Sequence, residues 1–389
     1  MNPVCGNAAD LPDQLQNIVD AYVANRHDVE KISGVALHVD FKDHDAVDVF
    51  AGTYGSQNAR PIGRNTLFEV GSNTKHFTSA LILKLEAQGL LRIDQTVGEW
   101  LPQYPAWANV TIRSLLNMTS EVPNYSETVP LAKTLATDMS HQFSMSDLVA
   151  AVYDQGLPVP TGWFYSNTNT VLAGMIIEAA THMSYKDALE TMLLKPLHLK
   201  DTFYNDGPYP PRVQRRLPSG IYDNRDCTLY QPQPCAVTAW QPLVGQDVSR
   251  MNMSWAGPAG AIVSTPHDLA IWVRDLFGLR VIPQAQLDEM TAIVSMKTGQ
   301  PVADVSADDP HGFGLGLGRN YQVAVNGAFW FYEGITFGFR TIFAYWPQYD
   351  LVITASTNSQ PADGEDHLAA EVIVKAFDRL HEDGLIASP

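Results

Sequence analysis

Basic residues are scarce in this sequence: 25 Lys and Arg stand against 42 Asp and Glu in 389 residues, a net charge of −17 at neutral pH. A chain with a pI near 4.9 repels phosphate backbones and anionic lipid surfaces, so nucleic-acid partners are not expected. Long apolar runs are missing as well. None approaches the ~20 residues that span a bilayer, so no integral membrane segment is predicted. The start, Met1-Asn2-Pro3-Val4-Cys5, lacks the basic end and apolar core of a secretory leader. Cysteines number three. Cys227 and Cys235 sit in a Pro-rich stretch where a local disulfide would brace a loop; two free thiols suit the spacing nearly as well, and Cys5 has no evident partner. The eleven histidines form no His-Glu-x-x-His or comparable cluster, so neither a metal nor any other cofactor is expected. There is no Gly-x-Ser-x-Gly elbow, and the alternating glycines of 312–318 read as a packed strand rather than a phosphate-binding turn.

What is present is Ser72-Asn73-Thr74-Lys75, preceded by Gly71 and followed by an apolar run through Leu85 that closes at Gly89. That pattern predicts a helix opening at Ser72. Residues three apart share a helical face, so the Lys75 amine can reach the Ser72 hydroxyl. A serine hydroxyl needs a neighbouring base near pH 7, and a lysine serves if burial or charge lowers its pKa. A helix start adds N–H donors and a positive dipole end, which favour developing negative charge. Alone, Ser-x-x-Lys is a common surface turn. About ninety residues on, Tyr165-Ser166-Asn167 precedes an apolar helical run. A phenol beside a cation can relay a proton, and Asn167 is a candidate to hold Lys75 or a substrate amide.

With these motifs the chain resembles the serine hydrolases related to class C β-lactamases, D,D-peptidases, D-aminopeptidases or D-amino-acid amidases, and family VIII esterases. The resemblance runs over nearly the whole chain, through residues 67–72, 90–97, 112–120, 196–202 and 257–270. It implies acyl transfer through Ser72, Lys75 and Tyr165, with Asn167 orienting Lys75 and substrate. It leaves open whether Lys75 or Tyr165 is the general base. The family's third motif, usually Lys-Thr-Gly, His-x-Gly or Trp-Gly-Gly, is matched here by Tyr332-Glu333-Gly334-Ile335. Gly334 keeps the strand close to substrate, and by resemblance the Ile335 N–H completes an oxyanion hole with that of Ser72. The cation that helps bind a substrate carboxylate is replaced by Tyr332. Glu333 adds a negative charge nearby, which strand alternation can also turn away from the site. Arg340 lies farther along and would restore a positive charge if it points inward. Glu121 stands where relatives have the glycine of Ser-Gly-Leu-Pro; it reads equally as a solvated loop carboxylate or as a receptor for a substrate ammonium group.

The resulting expectation is a serine hydrolase acting on a neutral or amine-bearing amide or ester, small molecule or peptide. A β-lactamase or D,D-carboxypeptidase is the alternative, and an acylated or inactive binding module a second one. Helix 11–26, strands at 34–40 and 46–50, a hairpin of 340–346 with 350–355 around 347–349, and a helix near 365–381 give matching αββ and ββα ends. These predict an α+β sandwich: one antiparallel sheet flanked by terminal helices. Residues 1–75 and 281–389 would build that subdomain, and 76–280 a mainly helical insertion broken by a Pro-rich stretch at 207–245, with the site between them. The resemblance, together with Cys227 and Cys235, favours a periplasmic or secreted protein over a cytoplasmic one. The oligomeric state is not legible.

Overall fold

A computed structural model describes residues 10–223, 241–325, 327–359 and 368–386. The three cysteines, and with them the expected pairing of Cys227 with Cys235, lie outside the described residues. Helix α1, Leu11–Glu30, carries Pro12 in its first turn, where a missing N–H is harmless, and buries Leu11, Leu15, Val19 and Tyr22 along one stripe. Strands β1 (Gly34–Phe41), β2 (Val47–Gly55) and β3 (Asn58–Pro61) follow.

The second half of the chain returns to the same sheet with β7 (Val294–Ser295), β8 (His311–Phe313), β9 (Gly318–Gln322), β10 (Gly327–Ile335), β11 (Arg340–Trp346) and β12 (Leu351–Thr357). The order is β3-β2-β1-β12-β11-β10-β9-β8-β7, with antiparallel neighbours throughout. Every residue of β12 is buried, as suits a central strand covered on both faces. One face packs α1 and the C-terminal helical segment around Leu37, Ile342, Ile353 and Phe377. The other carries Ala36, Phe343 and Val352 against the helical region.

Between these strand groups lie helices α2 (Thr74–Ala87), α3 (Asn167–Thr181) and α4 (Pro266–Phe277), with shorter helices beside them. Eleven of the fourteen residues of α2 are buried, which makes it the axis of the helical region. A small sheet, β4 (Phe68–Glu69), β6 (Ile262–Ser264) and β5 (Phe203–Tyr204), clamps the chain just before Ser72. Among the described residues no helix is long and apolar enough to cross a membrane.

Residues 312–318 differ from expectation. The alternating glycines do not form one strand but the turn of the β8–β9 hairpin. Gly314 N–H donates to Leu317 O, and Gly316, at φ +76°, donates to Leu116 O in the helical region. A Cβ at Gly316 would lie 2.5 Å from Ser79 Oγ, so glycine is needed there for close approach to α2.

Candidate active site

Ser72 sits in a single tight turn, Gly71–Asn73, that leads into α2. The turn is held from below by its neighbour. Asn73 is fully buried and donates to Val70 O and Thr341 O, both at 2.9 Å, tying the turn to β11. Its side-chain oxygen meets His76 Nε2 at 3.4 Å, and Trp272 Nε1 of α4 donates to His76 Nδ1 at 2.8 Å. Burial pushes His76 down to about 3, so the ring is neutral and serves as a spacer between α4 and the turn. Sequence inspection gave Asn73, His76 and Trp272 no role; they act through contacts far apart in the chain.

Lys75 and Tyr165 converge on Ser72. Lys75 Nζ lies 3.0 Å from Ser72 Oγ and donates to Ala259 O at 2.8 Å. The Tyr165 hydroxyl donates to Ser72 Oγ at 2.7 Å, and Nζ stands 4.9 Å from the Tyr165 ring centre. Lys75 is 1% exposed, and burial alone drives its amine well below the ordinary lysine value. Burial pushes Tyr165 up to about 12, against the opposing effects of Ser72 and Tyr332. The Ala259 carbonyl was a further partner not assigned from sequence, although residues 257–270 stood out.

The third-motif strand is pressed against the nucleophile turn. A Cβ on Gly334 would lie 1.8 Å from Val70 O and 2.8 Å from Ser72 N; one on Gly71, at φ +51°, would lie 2.7 Å from Ile335 N. Gly334 and Ile335 therefore border Ser72. Tyr332 faces the same side, 5% exposed, in an aromatic wall with Phe313 and Trp163. Burial raises its hydroxyl well above the ordinary value and the nearby Tyr165 phenol adds to this. The two phenols feel each other, yet the Tyr332 oxygen is shut from solvent without a hydrogen-bond partner of good geometry.

Three expectations need correction. Glu333 is not a group of the cleft: alternation along β10 turns it to the opposite face, where it pairs with Arg340. Arg340 itself is 2% exposed on that face and does not restore a cation beside Tyr332. Asn167 begins α3 and its amide donates to Ser126 Oγ at 2.8 Å; Lys75 is held by Ala259 O instead. Glu121 lies exposed on the loop whose residues Pro123 and Asn124 accept hydrogen bonds from Ser166, Thr168 and Asn167. Its φ of +58° explains why glycine suits that position.

The arrangement is that of a serine nucleophile with a buried amine, a phenol and a close-packed N–H-bearing strand. Residues 18–377 match the family model described as Beta-lactamase. The chain belongs to the Beta-lactamase family. Its site is that of a serine hydrolase. Among solved structures of similar fold is a D-stereospecific amidohydrolase from Streptomyces sp., 27% identical, with a TM-score of 0.72 over 93% of this chain and 97% of that one. The D-amino acid amidase from Ochrobactrum anthropi SV3, 23% identical with a TM-score of 0.78 over 96% of this chain and 99% of that one, shares the fold. Penicillin-binding protein 4* of Bacillus subtilis (strain 168) is 36% identical over 179 residues; these make up 44% of this chain and 38% of that protein. The chain thus aligns with well under half the length of this curated relative.

Proposed function

We propose that this member of the Beta-lactamase family hydrolyses a neutral or amine-bearing amide or ester through an acyl-enzyme on Ser72, as a D-aminopeptidase, amidase or esterase would. The observation that carries this reading is the third motif. Tyr332, neutral and with its hydroxyl shut from solvent, stands where relatives usually carry a cation, and Arg340 is held by Glu333 on the far face of the sheet. A substrate carboxylate would find no charge partner from this strand, which counts against an anionic β-lactam or a peptide C-terminus. The wall of Trp163, Phe313 and Tyr332, with Trp163 beside Tyr165, favours an apolar or aromatic acyl side chain. With Glu333 turned away, Glu121 is the one of these two acids that remains a candidate to receive an ammonium group.

The chemistry follows from the protonation states. Burial disfavours the charged form of Lys75, which suits it to act as the base: it donates to Ala259 O while its lone pair accepts the Ser72 proton. Tyr165, raised to about 12, stays a phenol and donates to Ser72 Oγ. As Oγ attacks the carbonyl carbon, the N–H groups of Ser72 and Ile335 stabilise the oxyanion. Tyr165 then hands a proton to the leaving amine or alcohol and is recharged from Lys75. Water, deprotonated through the same pair, releases the acid and restores Ser72. The test compares kcat/KM for D-amino-acid amides with free and with acetylated amines. The free-amine set is expected to be favoured by at least about tenfold, roughly 1.4 kcal/mol; preference for the acetylated set refutes it.

A further inference from the structure

His38 on β1, Asp48 on β2 and His267 in the first turn of α4 come together away from the serine site. His38 and Asp48 are direct cross-strand partners, with Nδ1 and Oδ1 2.7 Å apart. The His267 ring packs edge-on against His38, centroids 5.0 Å apart at 81°. One ligand atom from each of the three residues lies within 4.8 Å of the other two. His38 is 2% exposed, whereas Asp48 and His267 are half-buried. The Nδ1 atom of His267 is shut from solvent with no hydrogen-bond partner, a state that costs about 1–3 kcal/mol unless something uses the nitrogen.

We propose that His38, Asp48 and His267 form a binding site for a divalent d-block cation, zinc by donor chemistry, that staples the β1–β2 hairpin to the start of α4. Two imidazoles and one carboxylate are a zinc donor set, and they leave a fourth tetrahedral position for water. Zinc–ligand bonds of about 2.1 Å set neighbouring ligand atoms roughly 3.4 Å apart. The half-buried side chains of Asp48 and His267 can adjust to that spacing while the sheet fixes His38. Arg64, 3.5 Å from the second oxygen of Asp48, opposes a cation, but its side chain is 62% exposed and can swing into solvent. The site joins residues 38, 48 and 267, so no local spacing announces it. It contains none of the residues that surround Ser72.

The test is titration of the chelator-treated full chain with zinc chloride by calorimetry, alongside His267→Gln and Asp48→Asn. One zinc per chain and a zinc-dependent rise in Tm are expected, with affinity at least about tenfold weaker in each variant. Variants that melt like the parent without zinc establish that the fold is intact. Cobalt(II) loading tests the same site with no substitution: visible d–d bands without strong thiolate charge-transfer absorption are expected. No bound metal, thiolate bands from Cys5, Cys227 or Cys235, or affinity equal in all three proteins, which is an adventitious ion only, overturns the proposal.

Discussion

Gly334→Ala probes the closest approach in the active site. The new methyl group would begin 1.8 Å from Val70 O, 2.7 Å from Asn73 Nδ2 and 2.8 Å from Ser72 N. Two of these atoms are backbone, and Asn73 Nδ2 is pinned by two hydrogen bonds, so no flexible side-chain tip can yield. Bringing the Val70 contact out to 3.0 Å, still tight, requires β10 to retreat by about 1.2 Å. A shift of that size at a catalytic centre costs on the order of 10²-fold in rate, and losing one oxyanion donor costs about 10²–10³-fold. Strain of the kind produced by overpacking would add roughly 1–3 kcal/mol of destabilisation. The expected result is a kcat about 10²–10³-fold lower on a p-nitrophenyl ester, in a protein that still folds. Gly63→Ala is the control, since a Cβ there meets nothing within 4 Å. A folded Gly334→Ala enzyme within about threefold of the parent kcat, under 1 kcal/mol in barrier, would refute the placement of β10 at the oxyanion.

Lys75→Met should abolish turnover and raise Tm, gaining about 1 kcal/mol as a buried amine is replaced by an apolar chain of similar length. The sign follows from linkage: the folded chain holds Lys75 below its unfolded value, so the unfolded chain binds the extra proton and wild-type stability falls as pH drops below about 10.5. That component should vanish in Lys75→Met, and denaturant melts between pH 7 and 10 with unchanged slope would contradict it. Glu121→Gly relieves a left-handed backbone strain of roughly 1–2 kcal/mol, less about 0.5–1 for glycine's chain entropy. It should therefore melt slightly higher while losing the preference for free-amine substrates; an unchanged substrate preference would remove Glu121 from recognition.

The sequence pointed to Ser72, Lys75 and Tyr165, which the fold brings together, because short motifs mark each of them. Ser72 and Lys75 share a helical turn, and Tyr165 stands at the entry to α3, so short motifs encode them. The sheet was legible for the same reason: the turn at 347–349 separates two apolar strands, and both ends of the chain carry strand pairs. Alternation along a strand allowed Glu333 either face, and only the register of β10 against β11, which sets it beside Arg340, decides for the far one. Asn167 was read as orienting Lys75 and the substrate, but its amide is taken by Ser126, from a loop about forty residues earlier. The alternating glycines of 312–318 mimic a strand, yet two of them serve a turn that packs on the helical region. The packing of Trp272 on His76 and the convergence of His38, Asp48 and His267 depend on tertiary proximity that no local pattern records.

The most direct test of the account is intact mass after exposure to a fluorophosphonate and, separately, to a penicillin, for the parent and for Ser72→Ala. One fluorophosphonate adduct, mapped to Ser72 and absent from Ser72→Ala, with no stable penicillin adduct, is the predicted result. Labelling that persists in Ser72→Ala would contradict the nucleophile assignment, and a stable penicillin adduct on Ser72 would contradict the substrate class argued from Tyr332 and Arg340.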